Sequence, residues 1–226
     1  MIPKLLALTY APLRALRNVT IAFILMGMPA GAEPVTLVAL GDSLTAGYGL
    51  PPDQGLVPQL QAWLTASGAE VTVVNAGVSG DTTAGGLSRL DWTLTPDVDA
   101  VIVTLGGNDM LRGIDPATSR ANLEAILKGI TARGLPFLLV AMQAPGNYGP
   151  EYKAQFDAIY PDLAKTYGPL PAPVFFAPLL EGSADPATVQ QWMQADGIHP
   201  NAEGVGKIVA GLGPEVQTLL GLVAGK

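Results

Sequence analysis

Residues 35–47 read VTLVALGDSLTAG, and this stretch decides the fold class. Its first six residues are almost all apolar, as expected for a strand that is covered on both faces of a sheet. The run then ends abruptly in glycine and small polar residues, which is typical of a strand that turns directly into a helix. The stretch therefore predicts the start of a parallel βαβ unit.

Short apolar runs and longer helical patterns alternate along the rest of the chain. Further strands are predicted at residues 71–75, 101–105, 137–142 and 174–176. Helices are predicted around residues 56–64 and 116–130, at 150–167, at 186–194, and at 201–223 with a break near Gly213 and Pro214. This alternation favours a three-layer α/β/α sandwich built on a flavodoxin-like sheet of five parallel strands.

The first 32 residues have the pattern of a secretion signal. They begin with a basic region that contains Lys4, Arg14 and Arg17, and the apolar run at 19–28 follows. A small-residue cleavage site, Ala-Gly-Ala, occupies residues 30–32. The apolar run is too short to span a membrane, since a spanning helix needs roughly 20 residues.

We therefore expect a signal peptide at residues 1–32 and one domain at residues 33–226. Removal of the signal would leave no integral membrane segment and would place the protein in the periplasm or outside the cell. The alternative is an N-terminal membrane anchor that is not cleaved, because the apolar residues 5–8 lie upstream of the run at 19–28 and lengthen the apolar part of the segment.

Composition excludes several classes of protein. The chain has 49% hydrophobic and 14% charged residues, so it is not a disordered polyelectrolyte. It has no cysteine and a single histidine, which excludes thiol catalysis and most zinc hydrolase sites. Residues 33–226 carry nine basic and 19 acidic side chains, a net charge of −10, and so nucleic-acid binding is not expected.

The oligomeric state stays open, although a domain of this size can act as a monomer.

A short polar segment follows each of the first three predicted strands. These segments are GDSLTAG at 41–47, NAGVSGDTT at 75–83 and GGND at 106–109. Ligands in parallel sheets bind beyond the carboxyl ends of the strands, so we expect Ser43, Gly80 and Asn108 to face one crevice.

These three residues have the chemistry that acyl transfer needs. Ser43 suits a nucleophile, and the free N–H groups at the start of the following helix, the Gly80 N–H and the Asn108 amide could donate to the oxyanion that it creates. Taken singly, each residue also has an ordinary structural interpretation. Ser43 could cap a helix, Gly80 could belong to an ordinary turn, and Asn108 could adopt the left-handed conformation within a glycine turn. The serine motif is not a Gly-x-Ser-x-Gly elbow, because Thr45 replaces the second glycine.

The only histidine lies near the C-terminus in DGIHP, residues 196–200. Asp196 precedes His199 by three residues, so its carboxylate can accept from Nδ1–H and leave Nε2 as a base toward Ser43. A helix cap with a surface histidine is the alternative. Together with the segments after the strands, this pair supplies one candidate for each role in acyl transfer: nucleophile, oxyanion donors, base and orienting carboxylate.

These blocks resemble the SGNH (GDSL-type) hydrolase superfamily. Gly41-Asp42-Ser43-Leu44, Gly80, Gly107-Asn108-Asp109 and Asp196-Gly197-Ile198-His199-Pro200 match its four blocks in order. The segments LGGNDMLRG at 105–113, NYG at 147–149 and QWMQ at 191–194 look like a bacterial branch of periplasmic multifunctional esterases. The resemblance covers essentially all of residues 35–223.

The resemblance implies a nucleophile, Ser43, a base, His199, and an orienting carboxylate, Asp196. It also implies an oxyanion hole made by the Ser43 N–H, the Gly80 N–H and the Asn108 side chain. In such enzymes the segment at 109–114 lines the acyl site. Candidate substrate-binding residues are therefore Asp109, Met110, Leu111 and Tyr148.

The activity implied is hydrolysis of small carboxylic esters and thioesters, including aryl esters, acyl thioesters and lysophospholipids, without a metal or organic cofactor. A carbohydrate O-deacetylase of the same superfamily is the alternative with the same chemistry. The alternative from another class is a non-catalytic exported binding protein with a flavodoxin-like fold, and a flavin protein is conceivable by fold analogy alone.

Overall fold

The computed structural model of the protein describes residues 34–180, 182 and 186–224. Four strands form its sheet: β1 (Val35–Gly41), β2 (Val71–Gly77), β3 (Ala100–Thr104) and β4 (Phe137–Leu139). All are parallel, and their order is β2-β1-β3-β4. The two central strands, β1 and β3, carry the longest apolar runs because both of their faces are covered.

The prediction of a fifth strand is wrong, and the fourth strand is shorter than predicted. Val174 makes only an isolated parallel bridge to Ala141. Proline occupies positions 169, 171 and 173, and each proline removes a backbone donor from a would-be ladder. Beyond Val174 the chain turns at once into a short helix, so the sheet ends there.

Helices connect the strands and cover the sheet. They are α1 (Ser43–Ala46), α2 (Leu56–Ala66), α3 (Thr83–Ser88), α4 (Leu90–Thr93), α5 (Gly107–Leu111), α6 (Pro116–Ala132), α7 (Pro150–Asp157), α8 (Ile159–Tyr167), α9 (Ala177–Leu180) and α10 (Ala202–Ala224). Two 3₁₀ helices lie at Gly146–Tyr148 and Pro186–Trp192.

The layers follow from the alternation of side chains along the strands. Ala39 and Ile102 point to the face where α2 and α10 pack on each other and on the sheet. Their neighbours Val38 and Val103 point to the opposite face and are also buried, beneath the side where α3, α6 and α8 pack together. The result is the expected three-layer α/β/α sandwich.

Two helix predictions need correction. The predicted helix at 150–167 is two helices, α7 and α8, which meet at Ala158. The predicted break near Pro214 does not occur, and α10 continues through it. Close packing explains the continuity, because a Cβ on Gly213 would lie 2.6 Å from the ring of Trp63 on α2, and the apolar face of α10 is buried on both sides of the proline.

The predicted signal peptide lies outside the described residues, and both it and the domain boundary at residue 33 stay predictions. The segment from Glu33 to Lys226 groups as one compact unit. Among the described residues, no helix combines the length and the apolar character that crossing a membrane would require.

Candidate active site

Three polar segments meet at the carboxyl ends of neighbouring strands. Between β2 and β3 the chain crosses over β1, so the order of the strands reverses between β1 and β3. Parallel sheets bind ligands at this point. Ser43 follows β1, Asn108 follows β3, and Gly80 follows β2 on the other side of β1.

The turn that carries Ser43 is packed tightly against the sheet. A Cβ on Gly41 would lie 2.0 Å from the Thr45 Oγ1 and 2.9 Å from the Thr104 carbonyl oxygen, so only glycine fits. Asp42 caps α1, because its carboxylate accepts from the Leu44 N–H at 3.0 Å. Ser43 begins the helix, and its own N–H therefore has no partner within the helix.

Burial changes the acidity of the residue before the serine. Asp42 is only 1% exposed. Desolvation raises the pKa of this carboxyl to about 6, against the opposing effects of the Leu44 N–H, the nearby His199 and the Asn108 amide. Asp42 is thus a buried acid close to the serine, and it has no direct ion-pair partner among the residues that the structure describes.

A continuous chain of hydrogen bonds joins Ser43, His199 and Asp196. The His199 Nε2 lies 2.8 Å from the Ser43 Oγ, and the Nδ1 lies 2.6 Å from the Asp196 Oδ2. An ionised carboxylate favours the tautomer with the proton on Nδ1, which leaves Nε2 free to accept the serine proton.

Backbone donors hold Asp196 in its ionised form. The Ile198 and His199 N–H groups donate to its Oδ1 at 2.9 and 3.0 Å. Hydrogen bonds from the backbone and the imidazole of His199, together with the Ile198 N–H, lower the pKa of Asp196 to about 2. This carboxylate therefore stays charged at every pH at which the protein is expected to work.

Gly80 and Asn108, the two other residues predicted to supply oxyanion donors, line the same pocket as Ser43 and His199. Gly80 has φ 87°, a conformation that favours glycine, and among the described residues its N–H has no hydrogen-bond partner. The Arg112 guanidinium donates to the Gly80 carbonyl oxygen at 2.9 Å and fixes this loop. The Asn108 Nδ2 donates to the Asp81 carbonyl oxygen at 2.9 Å and makes a long contact of 3.4 Å with the Asp42 Oδ2.

A partly buried arginine links the serine turn to the Gly80 loop. The Arg89 Nε pairs with the Asp81 Oδ2 at 2.7 Å, and its Nη2 donates to the Gly41 carbonyl oxygen at 2.8 Å. Since the backbone of Asp81 also holds the Asn108 amide, one guanidinium connects the ends of β1 and β2 to the segment after β3.

Two of the candidate substrate-binding residues lie away from the crevice. Asp109 is fully buried, and its carboxylate accepts from the Thr83 N–H at 2.8 Å, the Thr83 hydroxyl at 2.6 Å and the Ser119 hydroxyl at 2.9 Å. It anchors α5 to α3 and α6. Tyr148 packs against Gly113 and donates to the Leu111 carbonyl oxygen at 3.2 Å, so it supports the segment at 109–114 from outside.

Met110 and Leu111 do line a pocket of about 650 Å³ that opens beside the serine and the histidine. This volume is typical of sites for small organic ligands. The pocket also has an apolar wall from the C-terminal third of the chain, formed by Val174, Phe176, Ala177, Leu180, Val189, Met193 and Ile198.

Sequence reasoning assigned no role to that wall or to two residues near the histidine, Tyr48 and Gln194. The ring of Tyr48 lies 4.6 Å from the His199 ring, centroid to centroid. The side chain of Gln194 bonds to the backbone of Tyr48. Tyr48 follows the GDSL block closely and Gln194 ends the QWMQ segment, so both had an available signal, whereas no local pattern indicates most of the pocket wall. Within the described residues no group of three or more Asp, Glu or His side chains is placed to hold a metal ion.

Comparisons with known proteins show the family of the chain. The sequence profile of the GDSL-like Lipase/Acylhydrolase family matches residues 39–206, which include all four blocks. The chain belongs to this family.

Curated relatives span nearly the whole chain. Esterase TesA of Pseudomonas aeruginosa is 40% identical over 201 residues, covering 88% of this chain and 96% of that protein. The thioesterase 1/protease 1/lysophospholipase L1 of Escherichia coli K12 is 38% identical over 188 residues, covering 82% and 85%. An arylesterase of Vibrio mimicus is 38% identical over 170 residues, covering 74% and 80%.

Solved structures give the same result. AlinE4, described as an SGNH-hydrolase family esterase, superposes with a TM-score of 0.65 at 42% identity, covering 84% of this chain and 98% of that one. The psychrotrophic esterase EstA of a Pseudoalteromonas species, in a structure inhibited by monoethylphosphonate, gives a TM-score of 0.73 at 30% identity, covering 82% and 98%. The protein is thus a GDSL-type serine esterase with the SGNH hydrolase fold, and not a non-catalytic binding protein.

Proposed function

We propose that Ser43, His199 and Asp196 form a catalytic triad that hydrolyses carboxylic esters and thioesters through an acyl-serine intermediate. The observation that carries this proposal is the unbroken chain of short contacts, 2.8 Å from Ser43 to His199 and 2.6 Å from His199 to Asp196. The Ser43 N–H, the Gly80 N–H and the Asn108 amide are the proposed oxyanion donors.

In the first half of the cycle, the His199 Nε2 takes the hydroxyl proton as the Ser43 Oγ attacks the acyl carbonyl carbon. The carbonyl oxygen becomes an oxyanion, which the proposed donors stabilise. The bond to the leaving group then breaks, and the proton passes from Nε2 to the departing alcohol or thiol. The acyl group remains as an ester on Ser43.

In the second half, water replaces the leaving group. His199 accepts a proton from the water as its oxygen attacks the acyl carbon, and the same donors hold the second oxyanion. Collapse of this intermediate returns the proton to the Ser43 Oγ and releases the carboxylic acid. Asp196 stays ionised throughout and stabilises the imidazolium that forms twice in each cycle.

The proposed substrates are aryl esters, acyl thioesters and lysophospholipids. The mostly apolar wall of the 650 Å³ pocket supports them, because an acetyl group would leave most of such a pocket unfilled. The printed names of the relatives, arylesterase and thioesterase 1/lysophospholipase L1, point the same way.

The test of the mechanism is Ser43→Ala, compared with the exposed control Ser88→Ala. We expect Ser43→Ala to fold, to lose turnover of p-nitrophenyl esters, and to lose labelling by a fluorophosphonate probe, while Ser88→Ala behaves as wild type. Hydrolysis by Ser43→Ala at a near-wild-type rate would overturn the assignment.

The test of the substrate class is a chain-length series of p-nitrophenyl esters, run beside acyl thioesters and a lysophospholipid. We expect kcat/KM to rise beyond acetate, because longer acyl chains bury more apolar surface in the pocket. Activity confined to acetate would instead support the carbohydrate O-deacetylase.

We further propose that the protein is exported with cleavage after Ala32. The basic and apolar pattern of residues 1–32 supports the export. N-terminal sequencing of the purified protein tests this statement, and a mature chain that begins at Met1 would contradict it.

A further inference from the structure

The proposed triad is assembled from two distant segments. Ser43 belongs to the turn after β1, whereas Asp196 and His199 belong to the loop before α10, so the bond between His199 and Ser43 spans 156 residues. Asp196 and His199 lie in one loop, and their relative position is set locally. The position of the imidazole relative to the serine needs a link between the segments.

The side chain of Gln194 supplies such a link. Its Nε2 donates to the Tyr48 carbonyl oxygen at 2.9 Å, just after α1, and to the Pro200 carbonyl oxygen at 3.0 Å, next to His199. Both partners are acceptors, so the amide must present its nitrogen to them and cannot be turned over. Its Oε1 lies against Gly49, where a Cβ would approach it to 2.2 Å.

The backbone of Gln194 separately closes the histidine loop. Its N–H donates to the His199 carbonyl oxygen at 2.7 Å, and its carbonyl oxygen accepts from the Gly197 N–H at 3.0 Å. An antiparallel bridge between Met193 and Pro200 closes the same loop. These backbone bonds survive a change of side chain, so the loop can keep its shape while it loses its tie to Tyr48.

We propose that Gln194 is a positioning residue that holds the Asp196–His199 loop in reach of Ser43. Its amide fixes the backbone of Tyr48, whose ring in turn lies 4.6 Å from the imidazole. The proposal rests on the proposed function of the triad. Gln194 touches no reacting atom, and its effect passes through the geometry of the Ser43–His199 contact.

The experiment compares Gln194→Met and Gln194→Glu with the control Gln191→Met. Methionine keeps the length of the side chain and removes both donors. Glutamate keeps its shape but puts a carboxylate oxygen against two carbonyl oxygens. Gln191 is exposed, and among the described residues its side-chain amide bonds to the Thr188 carbonyl oxygen three residues away.

We expect Gln194→Met to lower kcat by about ten- to hundredfold with KM within twofold, since a small misplacement of a reacting group has effects of this size. Gln194→Glu should lose at least as much activity, and Gln191→Met should lose none. The rate of fluorophosphonate labelling at Ser43 should fall in parallel with kcat. The low-field proton resonance of the His199 Nδ1–H should persist in Gln194→Met, because its bond to Asp196 lies within the loop.

Three results would overturn the proposal. The first is a kcat for Gln194→Met that matches that of Gln191→Met. The second is full activity of Gln194→Glu, which would mean that the side chain only fills space. The third is loss of the Nδ1–H resonance together with kcat, which would mean that the loop itself has collapsed. In each case Ser43→Ala, assayed in parallel, separates this failure from failure of the triad, because it stays inactive only if the triad is correct.

Discussion

Two aspartates close to the same serine–histidine contact lie in opposite surroundings. Asp42 is 1% exposed at the end of β1, and burial raises its pKa to about 6. The side chain of Asp196 is 37% exposed in the loop before α10, and three hydrogen bonds lower its pKa to about 2. One carboxyl group is therefore destabilised in its charged form, and the other is stabilised in it.

The difference shows how the two sides of the site are built. The nucleophile side is part of the sheet, where tight packing at Gly41 and a buried cap fix the serine turn. The base side is a surface loop, where a charge can be kept at low cost because water and backbone donors surround it. A permanent charge beside the imidazole suits the base side, whereas the nucleophile side needs rigidity more than charge.

The largest expected effect is that of Asp196→Asn. The asparagine Oδ1 can still accept from the Ile198 and His199 N–H groups, but its amide N–H₂ then faces Nδ1 and forces the proton onto Nε2, which can no longer accept from Ser43. We expect kcat/KM for a p-nitrophenyl ester to fall by about 10² to 10⁴. The exposed Asp53→Asn is the control. If the activity of Asp196→Asn stays within tenfold of the control, the charge of Asp196 is not needed for catalysis. The contrast drawn between Asp42 and Asp196 would then be wrong.

The next effect is that of Asn108→Ala on the nucleophile side. Removal of one oxyanion donor typically costs about 10² to 10³ in kcat, while the other donors sustain residual activity. We expect this loss in kcat with little change in KM, measured by steady-state kinetics on the same ester. A loss confined to KM would place Asn108 in ground-state binding instead.

The smallest effect on rate is that of Asp42→Asn, for which we expect less than about a tenfold change because the contact with Asn108 is long, 3.4 Å. Its effect on stability should be clear. The raised pKa means that the folded state binds a proton more tightly than the unfolded state, so the contribution of Asp42 to stability falls as pH rises from about 3.8 to about 6.

An asparagine at position 42 cannot ionise, so the Asp42→Asn protein should not lose stability through this group as the pH rises. We expect urea unfolding to show Asp42→Asn more stable than wild type by about 1 to 3 kcal/mol at pH 8, with the difference shrinking toward pH 4. Equal pH dependence in the two proteins would show that Asp42 is not penalised by burial.

The sequence predicted the parts of the site that depend on local order. A parallel sheet brings the ends of its strands to one edge, so Ser43, Gly80 and Asn108 could be placed together without knowledge of any contact. The spacing of Asp196 and His199 within one turn was equally local.

The remaining features depend on long-range packing. Asp109 is next to Asn108 in sequence, but the direction of its side chain depends on Thr83 and Ser119, which a local pattern cannot indicate. The helix through Pro214 depends in the same way on burial on both of its sides. The short sheet did have a local signal, because the three prolines before Val174 each remove a backbone donor.

The 156-residue separation between Ser43 and His199 also has a consequence for biosynthesis. On the proposed roles, a growing polypeptide has its nucleophile early and its only imidazole close to the end. A nascent or C-terminally clipped chain that stops before residue 199 therefore cannot hydrolyse an ester, even if its sheet has formed. On these roles, ester turnover therefore requires that the final segment has been made and has docked against the serine turn.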